Sequence, residues 1–370
     1  MELDEAIIVT QDKLAIEGDS IGDLLPHFRS FISPNLIGDA QWHEILSKGK
    51  SLPITLAALP FGFELPLHEA EPKADLGVSL ASRTRTAALF NQRAQEDPSD
   101  KTAQIIARLF RQIDSNESIL EDIVGRKLML EFDIGSARSQ DGAVPGMFLR
   151  PGEKPIVGAA GQIDDVSLIV DALVSSVGWE RNDQERDYVK LAYSKQPADT
   201  RMDSFGVFPS RERFIRLAVM GFKTPAEVSD YLDAIRWPGE LSAVEDVIVR
   251  FNERTNIVRC GTNIDVSEHG IGPSLGLTLV VKQRYTNEAR YWLDGLTDWD
   301  PFLDALAHEP LVGQAKLKEL ASWVTKPTTL FGKSGRFMLL RGIHHIKLVI
   351  EDNTLSKAKA YVFMVLTAGL

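Results

Sequence analysis

One cysteine, Cys260, stands among 370 residues. A disulfide framework within the chain is thereby excluded, and so is a cysteine-rich zinc site. No motif supplies the thiol with a base, so Cys260 reads as a buried strand residue. Long apolar runs are also missing: none approaches the roughly 20 residues that span a bilayer. The opening stretch, MELDEAIIVTQDKL, lacks a basic segment followed by an apolar one, so no signal peptide is visible and a cytoplasmic protein is expected. Basic excess is absent as well. Lys and Arg total 41 against 52 Asp and Glu, a net charge of -11, which argues against a nucleic-acid or anionic-membrane binder. A small basic pocket for an anionic ligand remains compatible with that total. Nor is there a GxGxxG after a strand, a Walker loop or an HExxH helix.

What is present is ordinary in composition, with 44% hydrophobic and 25% charged residues, and periodic in order. Residues 1–60 read as a mixed, partly helical segment. Residues 61–370 read as strand pairs alternating with helices, the whole forming a single domain. The pairs are FELPLHEAEPKADLGVSL (63–80), KLMLEFDI with PGMFLRP (127–151), DSFGVFPSRERFIRLAVMG (203–221), NIVRCGTNIDV with SLGLTLVV (256–281), and GIHHIKLVIEDNTLSKAKAYVFMVL (342–366). Helices are predicted over 83–114, 164–179, 224–237 and 287–324. The third has Thr224 as N-cap, Pro225 in the first turn and Glu227 completing a capping box. Trp179, Trp237 and Trp299 close three helices at intervals of 58 and 62 residues, consistent with a repeated strand–strand–helix unit.

Five such units give an α+β chain of αββα type. Ten antiparallel strands can close into a barrel surrounded by helices, with a solvent-filled lumen too wide for side chains alone to fill. An open sheet with one solvated face accounts for the alternation equally well. In either case one face of each strand packs on helices and the other is free to be polar. That second face carries Glu64 and His68, then Glu131 and Asp133, Arg216, Arg259 with Asn263 and Asp265, and in the last hairpin His345, Lys347, Lys359 and Tyr361. Read functionally, Arg216, Arg259, Lys347, Lys359 and Tyr361 make an anion-gripping zone, and Glu64 with His68 a proton-accepting one. Read as structure alone, they are solvated charges joined by weak surface ion pairs. His344 falls on the apolar face, and the HH pair is not expected to chelate a metal, since neighbouring strand residues point to opposite faces. FGKSGRF (331–337) reads as a mobile loop near one barrel mouth. How tightly the basic groups of the hairpin cluster depends on its register.

The order of elements resembles the ABBA-type (PT-barrel) aromatic prenyltransferases, the group that includes the dimethylallyltryptophan synthases. FGFELPLHEAEPKADLGVSL is similar to that family's first strand pair, LEFDIGSARSQDGAVPGMFLRP to its second, and AKAY (358–361) to its Lys-x-Tyr strands. The resemblance implies a metal- and cofactor-independent transferase with a prenyl diphosphate and an aromatic or peptide acceptor as partners. Glu64 then accepts the acceptor's proton. His68, Arg216, Arg259, His345, Lys347, Lys359 and Tyr361 bind substrate, and aromatic faces shield an allylic cation. The chain departs from the pattern at two places. Gly146 and Phe148 occupy the Lys-x-Tyr positions of the second pair, and ADLGVSL lacks the arginine of the first. A barrel that holds a peptide or small anion without diphosphate chemistry is the competing expectation.

Overall fold

The computed structural model describes residues 3–115, 118–135, 143–280 and 299–368. Five antiparallel strand pairs lie where the alternation predicts them. They are β1 (Phe61–Pro66) with β2 (Asp75–Ala81), and β3 (Lys127–Phe132) with β4 (Gly146–Leu149). After a two-residue β5 (Ile156–Val157) come β6 (Arg201–Val207) with β7 (Ile215–Phe222), then β8 (Arg259–Ser267) with β9 (Gly270–Val280). A short β10 (Thr328–Gly332) precedes β11 (Gly335–Glu351) and β12 (Thr354–Thr367). β5 and β10 pair only with β6 and β11 and stand outside the ring.

The pairs join edge to edge through β2–β3, β4–β6, β7–β8 and β12–β1, and β9 meets β11 to complete the circle. This is a closed ten-stranded antiparallel barrel surrounded by helices, not an open sheet. Closure follows from the length of β11. Its first third pairs with β10, and its later residues Lys347 to Ile350 reach Thr278 to Leu275 of β9. No helix among the described residues is long and apolar enough to cross a membrane.

The apolar core lies outside the barrel wall, between strands and helices. Phe61, Phe63 and Leu65 of β1, Leu76, Val78 and Leu80 of β2, and Ile346, Leu348 and Ile350 of β11 are all buried against the helix layer. Each buried Leu or Ile there contributes about 2 kcal/mol relative to exposure. Helix Lys101–Ile113 covers part of this shell with Ile105, Ile106, Leu109, Phe110 and Ile113, and starts where the Asp100 carboxylate accepts the Ala103 N–H at 2.9 Å. Helix Pro225–Ala234 starts on Thr224 as the sequence predicts. The Glu227 carboxylate, however, accepts from the Lys223 N–H at 2.7 Å, one residue before the cap, so the capping box is displaced. Helices Asp183–Ser194 and Leu241–Asn252 give two of the units a second helix that periodicity did not separate. The stretch expected to be helical from 287 falls partly outside the described residues, which resume before helices Asp300–Leu306 and Gln314–Ala321. Cys260 is buried on the outer face of β8, as expected.

Two local features differ from the sequence reading. FGKSGRF is not a loose loop but the turn of the β10–β11 hairpin. It is pinned because the Glu17 carboxylate accepts the backbone N–H groups of Lys333 and Ser334 and the Ser334 hydroxyl. In the closing hairpin the register places Lys347 opposite Lys359 and His345 opposite Tyr361, with a bulge between Ile343 and His345. The basic groups therefore share one face, although Lys347 meets Lys359 rather than Tyr361 across the ladder. The bulge also gives His344 the extra position, so parity no longer sends it away from His345.

β1 approaches β12 most closely at Gly62, where a Cβ would overlap the Val362 carbonyl and the Phe363 backbone. Gly62→Ala is expected to force these strands apart and cost about 3 kcal/mol. A urea melt measures it, and unchanged stability would show that the seam has room to spare.

Candidate active site in the barrel lumen

The inward positions of the strands bound a cavity of about 410 Å³. Its wall is apolar at Met129, Phe148, Ala218, Val280 and Phe363 and polar at Glu64, Glu131, Arg216, Asn263, His345, Lys347 and Tyr361. The alternation of each strand sets this division: Glu64 points inward because Phe63 and Leu65 point out, and Lys347 because Ile346 and Leu348 do.

Glu64 is the best-supported group in the lumen. Its carboxylate accepts from Lys359 Nζ at 2.5 Å and from the Tyr361 hydroxyl, and the backbone register seats it directly opposite Tyr361. Burial opposes its ionisation, but the Lys359 and Lys347 ammonium groups and the two hydrogen bonds outweigh burial and hold the carboxyl well below the ordinary range. Lys347 places its Nζ 5.0 Å from the centre of the Tyr361 ring. Burial, reinforced by the Arg216 and Lys359 charges, lowers its pKa to about 8 despite Glu64 and Glu131. The His345 ring stacks on Tyr361 at 4.2 Å and 9°, while its Nδ1 meets His344 Nδ1 at 2.6 Å. At that separation one proton lies between the two nitrogens, so one ring donates and the other accepts. Both imidazoles line the cavity, which corrects the assignment of His344 to the apolar side.

The other predicted residues are spread along the barrel. Arg216 lies in the lumen but is engaged: its guanidinium grips Asp265 through two bonds of 2.7 and 2.8 Å, and its plane sits over Phe208 and Phe214. Arg259 stands exposed at the mouth, donating to the Val258 carbonyl. His68 lies past the end of β1, with Nδ1 3.1 Å from the Ala358 carbonyl, away from the cavity wall, and burial lowers its pKa. The structure thus joins Glu64, His345, Lys347, Lys359 and Tyr361, adds Arg216 beside them, keeps Arg259 on the cavity wall at an exposed position, and leaves out His68.

Two groups, Arg211 and Asp75, went unnoticed as site candidates, and Glu131 was placed on the polar face without a role. Arg211, in the β6–β7 connection, reaches into the barrel to bind both Asp133 oxygens and Glu131, the latter at 2.9 Å. Its place in a turn gave no strand parity to read. Asp75 pairs with Glu64 in the β1–β2 ladder and accepts the Ile134 N–H at 2.8 Å. Burial, followed by the neighbouring Glu64 charge, raises its pKa to about 7. Glu131 is raised for the same two reasons, in the same order. The run Asp75-Leu-Gly-Val-Ser put Asp75 on Glu64's face, which was the available signal. Among the described residues no cluster of three or more His, Cys, Asp or Glu is arranged to hold a metal.

The departures at Gly146 and Phe148 have a packing basis. A Cβ at 146 would meet the Phe208 ring at 2.7 Å, and a Cβ at Gly206 would meet the Phe148 ring at 2.6 Å. Phe148 and Phe208 stand edge to face at 5.2 Å, each seated over the other strand's glycine. The space of a lysine at 146 is filled by an aromatic ring.

A ten-stranded antiparallel barrel wrapped by helices is the PT-barrel fold, that of the ABBA-type aromatic prenyltransferases. Solved structures agree. NotF prenyltransferase aligns with a TM-score of 0.52 at 14% identity, covering 95% of this chain and 94% of that one. 5-Dimethylallyl tryptophan synthase from Streptomyces coelicolor, in complex with DMASPP and Trp, aligns at 0.50 and 12%, covering 94% and 95%. AnaPT from Neosartorya fischeri aligns at 0.50 and 11%, covering 98% and 95%. No family model and no curated protein matches the sequence. At these identities the likeness is one of fold.

The raised pKa of Asp75 fixes the sign of its effect. Below about pH 4 the folded and unfolded states are both protonated; between that value and 7 only the unfolded state ionises, so stability falls as pH rises. Asp75→Asn keeps the acceptor for Ile134 and removes the deficit. It is expected to match the parent near pH 4 and exceed it at pH 8 by on the order of 2 kcal/mol, allowing for partial exposure. Denaturant titrations at both pH values check it, and a pH-independent difference would contradict it.

Proposed function

We propose that this protein is a divergent aromatic prenyltransferase-like enzyme, cytoplasmic and of secondary metabolism, that moves a prenyl group from its diphosphate to an electron-rich ring, indole-type or on a peptide. The observation that carries the reading is Glu64, held by Lys359, Lys347 and Tyr361 at the wall of an aromatic-lined cavity. In this reaction the C–O bond of the prenyl diphosphate breaks and the electron pair leaves with the diphosphate. The allylic cation adds to a ring carbon, and the ring proton passes to a carboxylate. Lys347, with Arg216 beside it, is the cation best placed to take the leaving diphosphate. The faces of Tyr361, His345 and Phe363 shield the cation from water. Glu64 is a weak base in the free protein, but a cationic ring intermediate is a far stronger acid than a carboxylic acid, so the transfer is downhill. An anion drawing on the Lys347 charge also raises Glu64's basicity.

A second reading is a PT-barrel binding or accessory protein that holds a peptide or small anion. It is favoured by one observation: Phe208 fills the place of a diphosphate-binding lysine over Gly146. Calorimetry with dimethylallyl diphosphate separates the two. Lys347 holds its proton below about pH 8 and loses it above, so affinity is expected to fall about tenfold from pH 7 to pH 9, with the dependence flattened in Lys347→Met. Glu64→Gln should bind the diphosphate and lose transfer by on the order of a hundredfold or more. No binding at millimolar ligand sinks the transferase reading and leaves the second.

A further inference from the structure

The lumen's charges are nearly all spoken for. Lys359 pairs with Glu64, Arg216 with Asp265, Arg211 with Asp133 and Glu131, and Arg150 with Asp203. Two cations on the cavity wall make no ion pair among the described residues: Arg259, which is exposed, and Lys347, which is enclosed and whose ammonium faces the Tyr361 ring. A cation enclosed in a protein without a carboxylate partner is costly, and the cost falls when the amine is neutral. The barrel also makes a slot for it. Lys347 crosses to Thr278 at the β9–β11 seam, and its stem lies along Gly276, where a Cβ would come within 3.0 Å of its Cδ. The amine thus lies on the wall of a cavity that the rings of Tyr361, His345 and Phe363 also line, Tyr361 5.0 Å from it.

We propose that Lys347 is a carbonyl-condensing residue, whose amine forms an imine with an aromatic aldehyde bound in the barrel cavity. This goes beyond prenyl transfer and does not depend on it. The cavity volume suits a ring of that size, and the apolar wall at Met129, Phe148 and Val280 favours an aryl group over a charged one. In the step itself Nζ attacks the carbonyl carbon and a proton moves from nitrogen to oxygen, giving a carbinolamine. The C–O bond then breaks, water leaves with the oxygen, and a C=N bond remains. The groups facing Lys347 set its readiness. From β7 comes Arg216 with its partner Asp265 of β8, from β12 Lys359 and Tyr361, from β1 Glu64 and from β3 Glu131, with Thr278 uncharged on β9. Burial, then the cations, outweigh the carboxylates and bring its pKa to about 8. The proton taken up by the departing hydroxide comes from solvent water, and the one left on nitrogen is released to it.

The test is reductive trapping of the whole protein with benzaldehyde and cyanoborohydride at pH 7, followed by intact mass and peptide mapping. Cyanoborohydride delivers hydride to the imine carbon and solvent a proton to nitrogen, leaving a stable secondary amine. At pH 7 an ordinary exposed lysine holds only about one amine in several thousand neutral. The peptide containing Lys347 is therefore expected to label on the order of tenfold or more faster than any other. Its rate should rise with pH to a half-maximum near 8. Lys347→Arg abolishes that adduct and leaves slow surface labelling. Labelling of Lys347 no faster than surface lysines, or a rate still climbing past pH 10, overturns the proposal in the unaltered protein, whatever the variant's stability.

Discussion

The constraint on which the rest of the molecule depends is the pairing of β9 with β11. It closes the sheet, and closure turns ten polar strand faces toward one another. Charges that an open sheet would give to water must then be balanced inside the barrel. The lumen answers with a set of ion pairs across strands: Glu64 with Lys359, Asp265 with Arg216, Asp133 and Glu131 with Arg211. The apolar shell outside the wall provides the stability, and the ion pairs inside set what the cavity can hold.

Balance is uneven, and the unevenness is where chemistry concentrates. Carboxylates crowd β1 to β3, so Asp75 and Glu131 are pushed toward their neutral forms while Glu64, nearest the lysines, stays ionised. On β11, Lys347 has charge neighbours but, among the described residues, no ion pair. Between β4 and β6 the Phe148–Phe208 pair fills space with rings, and the guanidinium groups of Arg211 and Arg216 stack on Phe208. Among the described residues, an anion entering this lumen meets the Lys347 ammonium and the exposed Arg259 guanidinium, while the other cations are committed to carboxylates. That arrangement differs from a ring of unpaired bases and makes binding sensitive to the protonation of Lys347.

Much of the barrel could be read from the chain because its strands are amphipathic at period two. Phe63 and Leu65 around Glu64, or Ile346 and Leu348 around Lys347, leave no doubt about which side faces helices. Closure was not legible in the same way, since the alternation serves an open sheet as well; it rests on β11 being long enough to pair with both β10 and β9. Two-residue parity also fails at a bulge, and so His344 was assigned to the wrong side. It carries no information about turns, which hid Arg211. The conflict between Gly146 and Phe208 involves residues 62 positions apart and became visible only in three dimensions. Glu64, Lys347, Lys359 and Tyr361 were legible because each sits at a regular strand position. His68 was overextended from the same rule, past the strand end, whereas Arg259 lines the cavity from an exposed position.

The central claim is that Glu64 is a carboxylate restrained by the lumen's lysines and made more basic by an anion among them. Carbon-13 detection of the Glu64 carboxyl, assigned with Glu64→Gln and titrated with and without inorganic pyrophosphate, measures this directly. The account predicts a carboxyl that stays ionised far into acid in the free protein and shifts upward by about one pH unit or more when pyrophosphate is bound. A Glu64 that titrates like an exposed glutamate, or one indifferent to saturating pyrophosphate, would contradict it.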